Sequence, residues 1–186
     1  MGSFYVNHTV QTTDRKKIED LLAGRHAFIS PVSDRIVVAY DQDSDSQDED
    51  IIVDLAKMLS AKLETVVFAV LNHDDDILIY WLFDRGAQVD AYNSMPDYFV
   101  DTTEPRGPQG GNAKMLCEKF GSPNIEAIER ILRSDDYVFA LDRHIDLLKA
   151  LGLKLEISYL GYRHLVSGDY PDGFGKNDFL EVGSKL

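Results

Sequence analysis

The chain has 186 residues, 44% of them hydrophobic and 10% aromatic, a composition that closes a core without staples and excludes intrinsic disorder. Its 19 Lys and Arg stand against 32 Asp and Glu, a formal net charge of −13. A polyanion repels phosphate backbones, so the charge argues against nucleic-acid binding and against docking on an anionic membrane.

Cys117 is the one cysteine, so no internal disulfide can form, and a reducing, cytoplasmic location is expected. The apolar runs at 66–71 and 77–83 fall far short of the ~20 residues that a membrane helix needs.

In chain order, residues 3–11 alternate as a strand, with Phe4, Val6, His8 and Val10 on one face. Thr13 is placed to cap a helix over 14–22, whose apolar stripe is Ile18, Leu21 and Leu22. Residues 26–30 and 35–40 read as a hairpin around Pro31-Val32-Ser33-Asp34. An acidic connector, 41–50, leads to a helix ending near Leu63, with Ile52, Leu55, Ala56, Leu59 and Leu63 on one face. Three strands follow at 65–72, 77–84 and 87–92, turned at 73–76 and at Arg85-Gly86.

This succession predicts an α+β fold. The N-terminal half reads as an antiparallel sheet in ferredoxin-like β-α-β-β-α-β order with both helices on one face, extended by a meander. A Pro- and Gly-rich loop spans 94–112. Short helices are expected over 114–120 and 125–132, the second capped by Ser122 with Pro123 in its first turn. A longer helix over 139–151 is expected to turn Leu141, Ile145 and Leu148 inward. The alternation of Leu153, Leu155, Ile157 and Tyr159 predicts a last strand. One domain over 1–186 is expected: sheet and two helices to 93, loop to 112, helical annex to 168, and a loosely held tail over 169–186.

No local pattern announces a catalytic site. Asp41, Asp43 and Asp45 are spaced like the first ligands of a calcium loop, but Ser46 and Ile52 stand where that loop needs Gly and Glu. His73-Asp74-Asp75-Asp76 gathers ligand types in a tight turn, where adjacent side chains diverge. The glycine-rich run from Gly107 to Lys114 lacks the phosphate-loop spacing, and Asn112 is a plain helix cap there. Cys117 lies among Met115, Leu116 and Phe120, as a buried thiol does. Asp142-Arg143-His144 reverses the kinase triplet. No metal and no cofactor is expected.

The richest segment is 80–99, where apolar strands exit into Tyr92-Asn93-Ser94-Met95-Pro96-Asp97-Tyr98-Phe99. Together with Asp84 and Gly86, a Gly-Gly loop, Tyr137-Val138-Phe139-Ala140, Arg143-His144, Leu151-Gly152-Leu153 and Gly161-Tyr162-Arg163, this wording resembles a family of uncharacterised bacterial hypothetical proteins. The resemblance spans about half of the chain. It implies that these positions share one fold, and it implies no activity.

Three readings of function follow, the third a purely structural or scaffolding domain of a larger complex, which a contiguous exposed apolar patch would favour over an enzyme. The first is a non-enzymatic protein-binding or regulatory module, in its most concrete form an inhibitor or immunity-type protein for a basic partner, because excess negative charge steers association with positive surfaces. Its contacts are sought at 41–50, Asp74–Asp76, Tyr92, Asp97 and Tyr98. The second is an enzyme whose loop 94–112 closes over a pocket made by Asp84, Tyr92, Asp97, Arg143 and His144, with Arg143 holding an anionic group and His144 moving a proton; Asn93, Ser94 and Tyr98 complete the candidate interaction or pocket residues.

Overall fold

A strand that is apolar at almost every position must be covered on both faces. The computed structural model, which describes residues 2–104 and 106–183, meets that demand with helices on either side of one eight-stranded antiparallel sheet. The elements are β1 (Tyr5–Val10), α1 (Arg15–Leu21), β2 (Ala27–Ile29), β3 (Val37–Asp41), α2 (Glu49–Leu63), β4 (Val66–His73), β5 (Ile77–Asp84) and β6 (Ala87–Asn93). Then come β7 (Gln109–Gly110), α3 (Ala113–Phe120), α4 (Ile125–Arg133), α5 (Ala140–Leu151), α6 (Leu155–Ser158), α7 (Tyr162–Val166) and β8 (Leu180–Val182).

The α+β class and the meander are as the sequence predicts. The strand order of the whole sheet is β7-β6-β5-β4-β1-β3-β2-β8. Short turns force β5 and β6 to continue outward from β4. Two consecutive left-handed residues, Asp74 and Asp75, make the first turn, and Arg85 with Gly86 the second. Gly86 is required there: its φ is +81°, and a Cβ would lie 2.8 Å from that of Ala61. The opposite edge is closed by β8, which sets Leu180 against Ile29 and Val182 against Ala27.

One face of the sheet sets Val6, Val10, Val67, Ala69 and Leu71 against Ile18 and Leu22 of the first helical segment and Ile52, Leu55 and Leu59 of α2. The other face sets Tyr5, Phe68, Val70, Tyr80 and Leu82 against Leu116, Ile128, Leu132 and Leu147 from α3–α5. Beside it, Phe28, Val38 and Tyr40 meet Ile157, Leu165 and Phe179. Each such large side chain contributes about 1.5–3 kcal/mol by leaving water.

Several local expectations are corrected. Asp14, not Thr13, caps α1, its Oδ1 accepting from the Lys17 amide at 2.9 Å. Asn124, not Ser122, precedes α4; the Ser122 hydroxyl instead donates to the Ala150 carbonyl at 2.6 Å and ties α4 to α5. The buried face of α5 is Ala140, Arg143, His144, Leu147, Leu148 and Leu151, while Leu141 and Ile145 are only half-buried. The expected strand after Leu153 is the short helix α6: Leu153, Ile157 and Leu160 recur at helical steps and turn into one cluster. Within the expected tail over 169–186, Phe179 is buried and Leu180–Val182 form β8, while 184–186 lie outside the described residues.

Candidate functional site

Tyr92 leaves β6 on the face covered by α4 and α5, and those helices meet it with Arg143. The guanidinium is 5% exposed. Its Nη1 donates to the Tyr92 hydroxyl at 2.7 Å and to the Ile131 carbonyl at 2.9 Å, and its Nη2 donates to the Ser134 carbonyl at 2.7 Å. Its Cζ lies 4.7 Å from the centre of the Tyr137 ring. Tyr92 in turn donates to the Leu132 carbonyl at 3.0 Å and stacks on Tyr80. Burial pushes the Tyr92 phenol up to about 12, against the pull of Arg143. The phenol is thus a protonated structural donor, and Arg143 fastens the end of α4 to β6 and α5.

His144 is fully buried and points elsewhere. Its Nδ1 is 2.7 Å from the Tyr5 hydroxyl, and the two rings stack. Burial holds the imidazole down at about 3, so it is neutral across the physiological range. On α5 it turns into the core toward Tyr5 of β1, and among the described residues no hydrogen bond joins it to the 94–112 loop.

The remaining predicted site residues are also bonded into the scaffold. Asp84 pairs with Lys119 at 2.9 Å. Asn93 Oδ1 accepts from the Met95 amide at 2.9 Å, and Ser94 Oγ accepts from the Leu78 amide at 2.9 Å. Asp97 grips Arg106, whose Nε donates to both carboxylate oxygens at 2.9–3.0 Å. That hydrogen bonding holds the carboxyl down at about 2. Tyr98 donates to Asp76 Oδ2 at 2.8 Å. So the structure joins Tyr92 to Arg143 and Tyr98 to Asp76, while Asp84, Asp97 and His144 each bond to other residues.

The acidic connector is likewise spent on the fold. Asp41 is buried at the end of β3, bridged by Arg25 at 2.7 and 2.8 Å and accepting from the Ser44 amide and hydroxyl. Asp43 also faces Arg25, and Asp45 accepts from the Arg163 amide. Asp41 and Asp43 thus share Arg25, while Asp45 is bonded to Arg163. Their side chains do not converge as a cation would require.

In the glycine-rich run, Gly110 and Gly111 have positive φ and press on β6. A Cβ on Gly110 would stand 2.2 Å from the Ala91 carbonyl oxygen. Asn112 Oδ1 caps α3 through the Met115 amide at 3.0 Å, while its own amide donates to Asp90. The glycines serve this close approach rather than an anion. Cys117 is buried in the second-face core with Leu116 and Phe68. No hydrogen bond joins it to an imidazole among the described residues: His144 Nδ1 is bonded to Tyr5, and His164 Nδ1 accepts from the Gly161 amide.

What remains free is a surface at the β4–β5 turn. His73 is its hub, with the rings of Phe4, Phe99 and Tyr98 edge-on at centroid distances of 5.1, 5.3 and 5.9 Å. Phe99 is 75% exposed, and Met95 and Val100 beside it are exposed as well. Across the turn stand Val138 and Phe139 at the start of α5, also exposed. The Ala140 amide donates to the Asp75 carbonyl at 2.6 Å and the Asp75 amide to the Ser3 carbonyl at 3.0 Å, so these segments form one rim. Exposed Asp74, Asp76, Asp101, Asp135, Asp136 and Asp142 lie in the same segments or next to them in the chain. Residues 94–104 and 134–142 contain no Lys or Arg.

Sequence reasoning named Tyr98 and the neighbouring aspartates but missed Phe4, His73, Val138 and Phe139 as parts of one surface. Phe4 was placed on the buried face of its strand, whereas it projects from the strand's start. The available signal was large apolar residues lying outside any periodic pattern, at 99–100 and 138–139.

Comparisons with known proteins add no relative: the chain matches no protein-family model, no curated protein and no solved structure. Among the described residues no helix is long and apolar enough to cross a membrane.

Proposed function

We propose that this chain is a non-enzymatic protein-binding module whose partner is basic, and that it meets that partner with the aromatic rim around His73. The observation that carries this reading is the rim itself, where exposed Phe99, Tyr98, Val138 and Phe139 lie in segments rich in exposed aspartates, the Arg106 of the same loop being paired with Asp97. Exposed aromatic residues supply binding energy at interfaces, and a charged border sets partner choice and association rate. A net charge of −13 adds long-range attraction toward a positive surface and repulsion from nucleic acid and anionic membrane.

An inhibitor or immunity-type role toward a basic enzyme is the most concrete form of this reading. A cytoplasmic location accords with the lone buried thiol of Cys117. The ferredoxin-like reading of the N-terminal half rests on the run β4-β1-β3-β2 within the larger sheet. The resemblance of 67–162 to uncharacterised bacterial hypothetical proteins rests on wording that includes the Tyr92–Arg143 bond and the Tyr98-Phe99 pair. The binding reading is preferred over the enzyme reading because Asp97, His144 and Arg143 are engaged by Arg106, by Tyr5, and by Tyr92 with backbone carbonyls, respectively.

The test is affinity capture on the immobilised chain at low salt. A stoichiometric basic protein that elutes by about 0.5 M salt, where surface charge is screened within a few ångströms, is the expected outcome. Retention of only acidic or nucleic-acid-bound species contradicts it.

A further inference from the structure

Resting on that reading, we infer that the rim receives a basic amphipathic segment of the partner, with Phe99 as the inserted anchor. Shape and charge both point to this occupant. The exposed side chains of Phe4, Tyr98 and Phe99 pack around His73, and exposed Val138 and Phe139 precede α5, whose Ala140 amide is bonded to the Asp75 carbonyl of the same turn. Exposed Asp74 and Asp76 lie in that turn, Asp101 follows Phe99 by two residues, and Asp135 and Asp136 precede Val138 in the chain. An apolar strip with carboxylates on its borders matches a segment that carries apolar residues on one face and Lys or Arg on its flanks.

The floor of the strip is fixed. His73 Nδ1 is 2.5 Å from Gln47 Oε1, and Tyr98 is tied to Asp76. Asp97 and Arg106 close the base of the loop that carries Phe99. Tyr98 and Phe99 meet edge to face at 4.9 Å, which orients the Phe99 ring outward. Such a preformed anchor loses little conformational freedom when it binds. A second copy of this chain is a poor occupant, since it would bring the same aspartates against these ones. A polyanion is poorer still.

The experiment is an amide-resolved NMR titration of the full chain with three synthetic probes: a helical Leu/Lys amphipathic peptide, its Leu/Glu counterpart, and an oligolysine of equal charge. The Leu/Lys peptide is expected to shift amides at 3–4, 73–76, 95–101 and 138–142 in a saturable manner, and the Leu/Glu peptide to shift none of them. Phe99→Ala, at an exposed position that leaves thermal unfolding unchanged, is expected to weaken the Leu/Lys peptide about tenfold or more, the loss typical of a central anchor. Oligolysine binding is expected to be weak and unaffected by that substitution.

Equal affinity of wild type and Phe99→Ala for the Leu/Lys peptide overturns the inference, while leaving a purely electrostatic basic partner intact. Peptide shifts centred away from the rim overturn it too. Concentration-dependent dimerisation in sedimentation that Phe99→Ala abolishes assigns the rim to a second copy, and overturns it as well.

Discussion

At the scale of single residues, His144 is the group whose chemistry is most altered by the fold. In the unfolded chain its imidazole titrates near the ordinary histidine value of about 6.5. In the core, burial holds it at about 3. Between those values the unfolded state binds a proton that the folded state refuses, so stability is full above about 6.5 and falls as pH drops through this window. The cost reaches about 3 kcal/mol between pH 7 and pH 4. His8, also buried and also held down, adds in the same direction. Urea midpoints measured across that range are expected to fall, and less steeply in His144→Gln. An identical slope in wild type and variant contradicts the assignment. No sequence pattern foretold this. His144 was singled out as a proton carrier, and only the register of α5 against β1 reveals it as a buried neutral ring bonded to Tyr5.

At the scale of elements, the second helical layer is fastened to the sheet through Arg143 and Tyr92. Periodicity located α3, α4 and α5 to within a residue or two, because caps and apolar steps are local signals. It chose the wrong inward face for α5. The rule that apolar residues turn inward favoured Leu141 and Ile145, yet Arg143 and His144 are buried because carbonyls and phenols await them. The alternation at 153–159 misled for a similar reason: period two and a short helix share positions over four residues, and tertiary packing decides between them.

If the Arg143–Tyr92 bond is a fastening, Tyr92→Phe leaves one guanidinium N–H and the Leu132 carbonyl without this partner. A loss of about 1–3 kcal/mol is then expected in urea unfolding, at an unchanged denaturant slope. Binding at the His73 rim is expected to remain as in wild type. An unchanged midpoint, or a loss of partner binding in a fully stable variant, contradicts the structural role.

At the scale of the whole molecule, charge was legible from composition alone, and the α+β class from the order of elements. The position of the interaction surface was only partly legible. Tyr98 and Asp74–Asp76 belong to segments that sequence reasoning singled out. Their union with Phe4 and Phe139 depends on two backbone hydrogen bonds that join residue 75 to residues 3 and 140, and no local pattern encodes such distant pairings. The 41–50 stretch shows the converse. Its aspartates look free in the sequence, yet Arg25, Ser44 and Arg163 claim three of them. The −13 of the chain therefore does not act evenly, and the unpaired share that matters is expected at the rim.

The most direct measurement is the association rate of the captured basic partner with wild type and with the Asp74→Asn/Asp76→Asn/Asp101→Asn variant, from about 0.05 to about 0.5 M salt. The account predicts a wild-type rate that falls steeply with salt, and a variant rate that is already slow at low salt and nearly flat. Equal rates and equal salt slopes for the two proteins would contradict it, because the charge that steers binding would then lie elsewhere on the molecule.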